Sequence, residues 1–161
     1  MKALKYIGLV IVLTIIGFYS AYYFIDFSCA QLNNGDIQIV SYTLGGNFFA
    51  QVVFSFSIGI LPLLYLVVER VARIKFLYQG LITIGIIISY GILLWQVNIF
   101  QMNQVFHKIA KLYQKEGKQI TISLEELKFG QYLFTGFILG AIISIIIFRW
   151  IVKGKVNTVE S

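Results

Sequence analysis

Residues 76–98 read FLYQGLITIGIIISYGILLWQVN, and this stretch of 23 residues without a charged side chain decides the fold. A helix needs about 20 such residues to cross the hydrocarbon core of a bilayer. Three more apolar stretches of similar length lie at residues 6–25, 47–68 and 131–152. Backbone amides in hydrocarbon must find hydrogen-bond partners within their own segment. All four stretches are therefore predicted to be transmembrane helices.

The composition of the whole chain agrees with this prediction. Of 161 residues, 58% are hydrophobic and 12% are charged, whereas a soluble domain is about 25% charged. A soluble globular fold and a disordered chain are excluded, and a single cysteine, Cys29, excludes a disulfide framework. We predict an all-α integral membrane protein with a four-transmembrane-helix bundle. It forms one domain over residues 1–161, with regions outside the membrane at 27–46 and 99–130.

The basic residues predict the orientation of the bundle. Eight of the 13 Lys and Arg residues lie in the N-terminal tail, the turn between the second and third spans, and the C-terminal flank. Five lie in 99–130 and none in 27–46. Because cytoplasmic segments carry the excess of Lys and Arg, both termini are predicted to be cytoplasmic. The shortage of proline and the wealth of Ile, Phe, Tyr and Lys indicate an AT-rich bacterial genome. The predicted location is therefore the cytoplasmic (inner) membrane of a bacterium.

The stretch after the third span has the pattern of an amphipathic helix. Apolar residues from Met102 to Tyr113 recur at three- and four-residue steps, which is one face of a helix. We predict a single helix from about Phe76 to Glu116, whose outer part stands upright outside the membrane. The alternative is a helix that lies flat in the interface after a bend at 98–103. Four lysines form its basic face, for contact with lipid, surface polymer, an acidic partner or solvent alone: Lys108, Lys111, Lys115 and Lys118.

Two further segments outside the spans alternate like strands. Residues 36–43 (DIQIVSYT) and 119–123 (QITIS) are rich in β-branched side chains, as strands are. They are predicted to pair as a small two-stranded external sheet. Ser123 and Glu126 form a capping box, so a helix is predicted to begin at Leu124 and to run through Gly130 into the fourth span.

Small residues inside the spans predict close helix packing. Gly136, Gly140 and Ser144 form a ladder at four-residue steps, and Gly85 and Ser89 form a shorter one. Such spacing lets two helix backbones approach each other. Packing within one bundle and contact between subunits of a homo-oligomer both remain open.

The second span contains the only proline of the chain. Pro62 is predicted to kink this helix because it lacks a backbone N–H, and Ser55 and Ser57 lie upstream of it. The bend is either a fixed structural feature, or else a hinge or a pore-lining element.

The chain shows little that resembles catalytic chemistry. No ionisable residue lies at the middle of a span, there is one histidine, and no phosphate-binding loop or metal-binding motif is present. We therefore predict no enzymatic activity, no cofactor and no metal site. The net charge of +6 is split between the two membrane faces, so direct binding of nucleic acid is not expected.

These features predict a non-enzymatic, oligomeric membrane subunit for sensing or assembly, which couples an external hairpin to a protein partner. One alternative is a homo-oligomeric channel or pore. In size and topology, though in no residue motif, the chain is similar to small four-span membrane components of bacterial anti-phage systems such as Kiwa. That similarity implies a second alternative, a membrane component of such a defence system.

Overall fold

A computed structural model describes residues 2–32, 37–40, 44–72, 74, 76–113, 120–123 and 127–157. The elements are α1 (Lys2–Ala30), β1 (Ile37–Val40), α2 (Leu44–Gly59), α3 (Leu61–Ala72), α4 (Leu77–Tyr113), β2 (Ile120–Ser123) and α5 (Phe129–Asn157). Within these described ranges, four helical segments are long and apolar enough to cross a membrane: Lys5–Ala30, Phe48–Ala72, Leu77–Ile109 and Phe129–Trp150. They overlap the four predicted spans, so the prediction of a helical bundle of the transmembrane type is confirmed.

The second span consists of two helices, α2 and α3, which are interrupted at Ile60. The Ile60 amide donates to the Phe56 carbonyl at 3.0 Å, and the Leu63 and Leu64 amides both donate to the Ile60 carbonyl. Pro62, the second residue of α3, has no N–H with which to continue the ladder. The hydrogen-bond ladder of the span therefore lacks one amide donor at Pro62, and the kink predicted there stays a prediction.

This interruption gives the two halves of the second span different neighbours. Helix α2 packs on α1 and α5, whereas α3 packs on α5 and also contacts α1 and α4. We call the end of the bundle where α1 finishes and α5 begins the strand end, and the opposite end the terminal end. At the terminal end, α3 joins α1 through a hydrogen bond from the Tyr6 hydroxyl to Glu69 Oε2 (2.9 Å). Tyr65 of α3 packs there against Gly80 of α4.

Large apolar side chains cover the outside of the bundle. Those of Ile7, Ile11 and Ile15 on α1 are more than half exposed, and so are those of Leu81 and Phe100 on α4. A monomeric soluble protein rarely exposes a continuous apolar surface of this extent. Such a surface is stable in contact with lipid, which agrees with the span lengths. The inward residues are fewer and include Ala21, Phe54, Val68, Ile87, Trp95, Leu133, Phe137 and Phe148.

The two strands pair in parallel, with Ile37 opposite Ile120 and Val40 opposite Ser123. A parallel pair needs a long connection between its strands, and here that connection contains α2, α3 and α4. Each strand lies next to a helix end in the chain, since β1 follows α1 and β2 precedes α5.

The prediction that a helix runs from Leu124 through Gly130 into the fourth span is wrong. Helix α5 begins at Phe129, and Lys128 just before it has a φ of 50°. An L-residue in this left-handed region cannot continue a right-handed helix. The amides of Gln131 and Tyr132 instead donate to the Lys128 carbonyl at 3.0 and 3.2 Å. Residues 124–126, where the capping box was predicted to act, lie outside the described residues.

Candidate functional site

The small-residue ladder of the fourth span packs against α4 of the same chain. A Cβ at position 136 would lie 2.5 Å from the Tyr90 carbonyl oxygen and 2.6 Å from the Gly91 Cα. A Cβ at position 140 would lie 2.7 Å from the Ile87 Cα. Ser144 is buried and donates to the Gly140 carbonyl at 2.8 Å. Packing within the bundle, one of the two interpretations left open by the sequence, accounts for this ladder.

The predicted Gly85 and Ser89 stripe does not take part in that packing. Both residues are exposed, and a Cβ at Gly85 would meet nothing within 4 Å. The packed face of α4 instead carries Thr83, Ile87 and Gly91, which are all buried. Spacing alone predicted a small-residue face but could not identify the one turned inward. Thr83, Ile87 and Gly91 follow one another at four-residue steps. This spacing could have predicted the packed face of α4, but it was not used in the sequence analysis.

Ser55 and Ser57 are buried between helices and do not face an open channel in the single chain. The Ser55 hydroxyl donates to the Gln51 carbonyl at 2.6 Å, and its Cα is close to Gly17 of α1. The Ser57 hydroxyl lies 2.7 Å from the Val53 carbonyl oxygen and 3.2 Å from the Gly130 carbonyl oxygen of α5. These serines, with buried Pro62 nearby, therefore join α2 to α1 and α5.

Other hydroxyls in the spans are satisfied in the same local way. Those of Thr14, Ser20, Ser28, Thr83 and Thr135 each donate to the carbonyl four residues earlier. A helix in hydrocarbon gains from this arrangement because no water is available to the hydroxyl group. The donor of each such hydroxyl is therefore used within its own helix, and only its acceptor capacity remains.

Two asparagines of α4 form the most specific polar contacts of the strand end. Asn98 is 1% exposed, and its Nδ2 donates to the Leu127 carbonyl at 2.9 Å, just before α5. Asn103, about one and a half turns further along α4, donates from Nδ2 to the Gln31 carbonyl at 3.2 Å, just after α1. One helix thereby holds the backbone next to the ends of two others. We call Asn98 and Asn103 the carboxamide pair.

A third contact joins α1 to α4 at the same end. Trp95 Nε1 donates to the Ser28 hydroxyl at 3.1 Å, and both residues are buried. The Trp95 ring packs against Phe24 and Phe27 of α1, with ring centroids 5.6 and 5.9 Å apart. The strand end is therefore fixed by hydrogen bonds as well as by apolar packing.

An open polar cavity of about 430 Å³ lies beside Asn103, between the C-terminal end of α1 and the outer part of α4. Its lining includes three carboxamide side chains, those of Gln31, Gln96 and Asn103, together with Ile99 and Phe100. Asn103 Oδ1 is buried and has no hydrogen-bond partner among the described residues. The bond from Nδ2 to Gln31 fixes the amide orientation, because the flipped amide would bring two acceptor oxygens together. Asn103 Oδ1 can therefore accept a hydrogen bond from a donor group that enters the cavity.

The basic face predicted outside the third span is described in part. Lys108 and Lys111 are exposed on the last turns of α4. Lys115 and Lys118 lie outside the described residues. His107 is likewise exposed, and the described residues contain no group of three His, Cys, Asp or Glu side chains that could hold a metal ion.

The carboxamide pair was not identified in the sequence analysis. The immediate neighbours of Asn98 in sequence, Val97 and Ile99, are both apolar and do not show which face of the helix Asn98 lies on. Asn98 follows Gly91 by seven residues, about two helical turns, and so lies near the face that carries Thr83, Ile87 and Gly91. This spacing could have predicted that Asn98 is turned inward.

No family model matches this chain, and no curated protein and no solved structure shows a significant similarity to it. The residues and their geometry are therefore the basis for an assignment of function.

Proposed function

We propose that this protein is a non-enzymatic membrane subunit for sensing or assembly, which couples a region outside the membrane to a protein partner. The observation that carries the proposal is the carboxamide pair. Asn98 and Asn103 tie α4 to the backbone at the start of α5 and the end of α1. The strands β1 and β2 adjoin those same backbone segments. A displacement of the strands therefore acts directly on three helices.

The length of α4 supports an outer part that stands away from the bilayer. Its 37 residues from Leu77 to Tyr113 span about 55 Å at 1.5 Å per residue, against a hydrocarbon core of about 30 Å. The helix is continuous through residues 98–103, where a helix lying flat would need its bend. In the proposed arrangement, α4 projects beside a small external sheet, and both termini face the cytoplasm of a bacterial cell.

The terminal end offers a second contact through which a displacement can pass. The Tyr6–Glu69 hydrogen bond joins α1 to the last turn of α3. Arg70 follows Glu69 in the chain, and the turn between the second and third spans is predicted to be cytoplasmic. Arg70 and this turn form the surface proposed for the partner. The break at Ile60 separates this half of the second span from α2, so α3 can shift without moving α2 by the same amount.

The channel alternative has less support. It rested on Pro62 and on the serines and threonines of the spans, and these hydroxyls are bonded to nearby carbonyls or to another helix. The defence setting rests on size and topology alone and stays a prediction. The homo-oligomeric state likewise stays a prediction, with the exposed stripe of Gly85 and Ser89 as its remaining candidate surface.

Native mass spectrometry of the protein in nanodiscs from its own membranes tests the proposal. We expect a second protein in fixed stoichiometry with the chain, together with self-association. The variant Asn98→Ala/Asn103→Ala should still insert but should lose the link between the external region and the partner. Its matched control is Gln104→Ala, which changes an exposed carboxamide on the same helix outside the cavity lining.

Three outcomes distinguish the alternatives. A fixed complex that Asn98→Ala/Asn103→Ala weakens and Gln104→Ala leaves intact supports the proposed subunit. A homo-oligomer without another protein, which conducts ions in liposomes, supports the channel. A monomer that binds no other protein in its native membrane contradicts the proposal.

A further inference from the structure

A shallow groove lies at the strand end between α1, α2 and the start of α5. Its walls include the side chains of Phe24, Phe49, Val53 and Phe54, and Lys128 and Gln131 lie at its edge. Phe24 stacks on Phe54 with ring centroids 4.2 Å apart, which gives the groove a firm aromatic wall. Phe49 is 58% exposed. The groove is thus an apolar surface that remains open on one side.

The shape of the groove indicates what it can hold. Its enclosed space is about 30 Å³, which holds only about two or three water molecules. A small molecule cannot be enclosed there. An extended hydrocarbon chain can lie along the aromatic wall while its other side remains in the bilayer. The acyl chain of a phospholipid has this geometry and already surrounds the bundle.

The charge at the edge indicates which phospholipid. Lys128 is the one charged residue among the described residues that line the groove, and its side chain is exposed. It lies at the beginning of α5, where the apolar span ends. A lysine at this depth extends its ammonium group towards the headgroups. A cation there attracts an anionic headgroup and gains little from a zwitterionic one, whose own ammonium group compensates the phosphate.

We propose that this groove binds an acyl chain of an anionic phospholipid, with the Lys128 ammonium group paired to the lipid phosphate. The site is independent of the proposed coupling of the external region. One basic residue near a membrane surface favours an anionic lipid over a zwitterionic one by about fivefold. That ratio is the expected preference of the site.

The buried Trp95 is a natural reporter of the groove. Its ring lies 5.6 Å from Phe24, which forms one wall, and it is only 6% exposed. The chain has two tryptophans, so the exposed Trp150 is replaced by phenylalanine to leave one emitter. The full chain with Trp150→Phe is placed in nanodiscs of phosphatidylcholine. Increasing amounts of brominated phosphatidylglycerol or brominated phosphatidylcholine are then added.

Brominated phosphatidylglycerol should reach half of its maximal Trp95 quenching at about one fifth of the amount that brominated phosphatidylcholine needs. Lys128→Asn should remove this preference, and asparagine tolerates the positive φ of this position. Lys128→Arg should retain the preference. Ala50→Phe, which fills the groove, should reduce quenching by both lipids. The matched control, Lys108→Gln, removes an exposed lysine of α4 and should change nothing.

Circular dichroism of each variant verifies that the helical bundle is intact. Equal quenching by the two lipids in the parent protein would overturn the proposal. A preference that survives Lys128→Asn would overturn the role of this lysine, and quenching unaffected by Ala50→Phe would overturn the role of the groove.

Discussion

The contact of α4 with α5 and its contact with α1 show two different ways of joining membrane helices. The backbones of α4 and α5 approach each other closely at two points. Gly136 of α5 faces Gly91 of α4, and Gly140 of α5 faces the backbone of Ile87 of α4. Towards α1, α4 makes side-chain contacts at the strand end, where Trp95 donates a hydrogen bond to Ser28 and packs on Phe24 and Phe27. In accordance with this difference, α1 is the least buried of the four spans and α5 the most buried.

The comparison shows that α4 joins α5 by continuous backbone packing, whereas it joins α1 by side-chain hydrogen bonds and aromatic packing. Association of helices in lipid depends on close van der Waals contact because apolar burial gives no advantage over lipid tails. A contact through glycines extends over several turns. A contact through one indole can form or break without separating the other helices.

Enlarging a glycine of the α4–α5 contact should have the largest effect. Gly136→Leu places a side chain where even a Cβ would lie 2.5 Å from the Tyr90 carbonyl oxygen. Overpacking of this kind costs about 3 kcal/mol, and neither backbone can move without displacing the other. Reversible unfolding in mixed micelles, followed by circular dichroism, measures the free energy of unfolding. The control is Gly85→Ala, whose Cβ would meet nothing within 4 Å. An equal loss in both variants would contradict the packing described.

Removing the first member of the carboxamide pair should have the next largest effect. Asn98→Ala leaves the Leu127 carbonyl without its donor at a buried position, which costs about 2 kcal/mol. The same unfolding measurement applies, with Gln96→Ala as the control because that side chain is exposed. Hydrogen exchange of the first turn of α5 should increase in Asn98→Ala alone. If the exchange rates of the two variants agree, Asn98 does not hold α5.

The contact with α1 should be weaker than either of these. Trp95→Phe keeps an aromatic ring but removes the donor to Ser28, at a cost of about 1 kcal/mol. Ser28 keeps its bond to the Phe24 carbonyl, so no buried hydroxyl is left unsatisfied. Trp150→Phe serves as the control because Trp150 is 77% exposed. A loss above that of Asn98→Ala would reverse the proposed ranking of the two contacts.

The hydrogen bond at the terminal end should contribute least. Tyr6→Phe removes the donor to Glu69, and interhelical bonds of this kind contribute about 0.6 kcal/mol in membranes. Tyr19→Phe is the matched control, since Tyr19 is 77% exposed on the same helix. Unfolding of the two variants in parallel decides the point, and identical midpoints would mean that the Tyr6 hydroxyl adds no stability.

Much of the fold could be predicted because hydrocarbon imposes strict rules on a chain. Runs of apolar residues without charge locate the four spans, and Pro62 lies two residues after the interruption at Ile60. The ladder of Gly136 and Gly140 predicts a close helix approach, although not the helix that it approaches. Sequence spacing also could not show that Gly85 and Ser89 lie on the exposed face of α4.

The sequence by itself determined which segments can cross a membrane, because the cost of an unpaired amide or a charge in hydrocarbon depends on the segment alone. Only the tertiary structure decided which faces meet, because rotation of a helix about its axis depends on all its neighbours together. It placed Gly91 against Gly136 and Phe137. It also brought Asn98 and Asn103 to carbonyls 29 and 72 residues away in the chain, a proximity that no local pattern encodes.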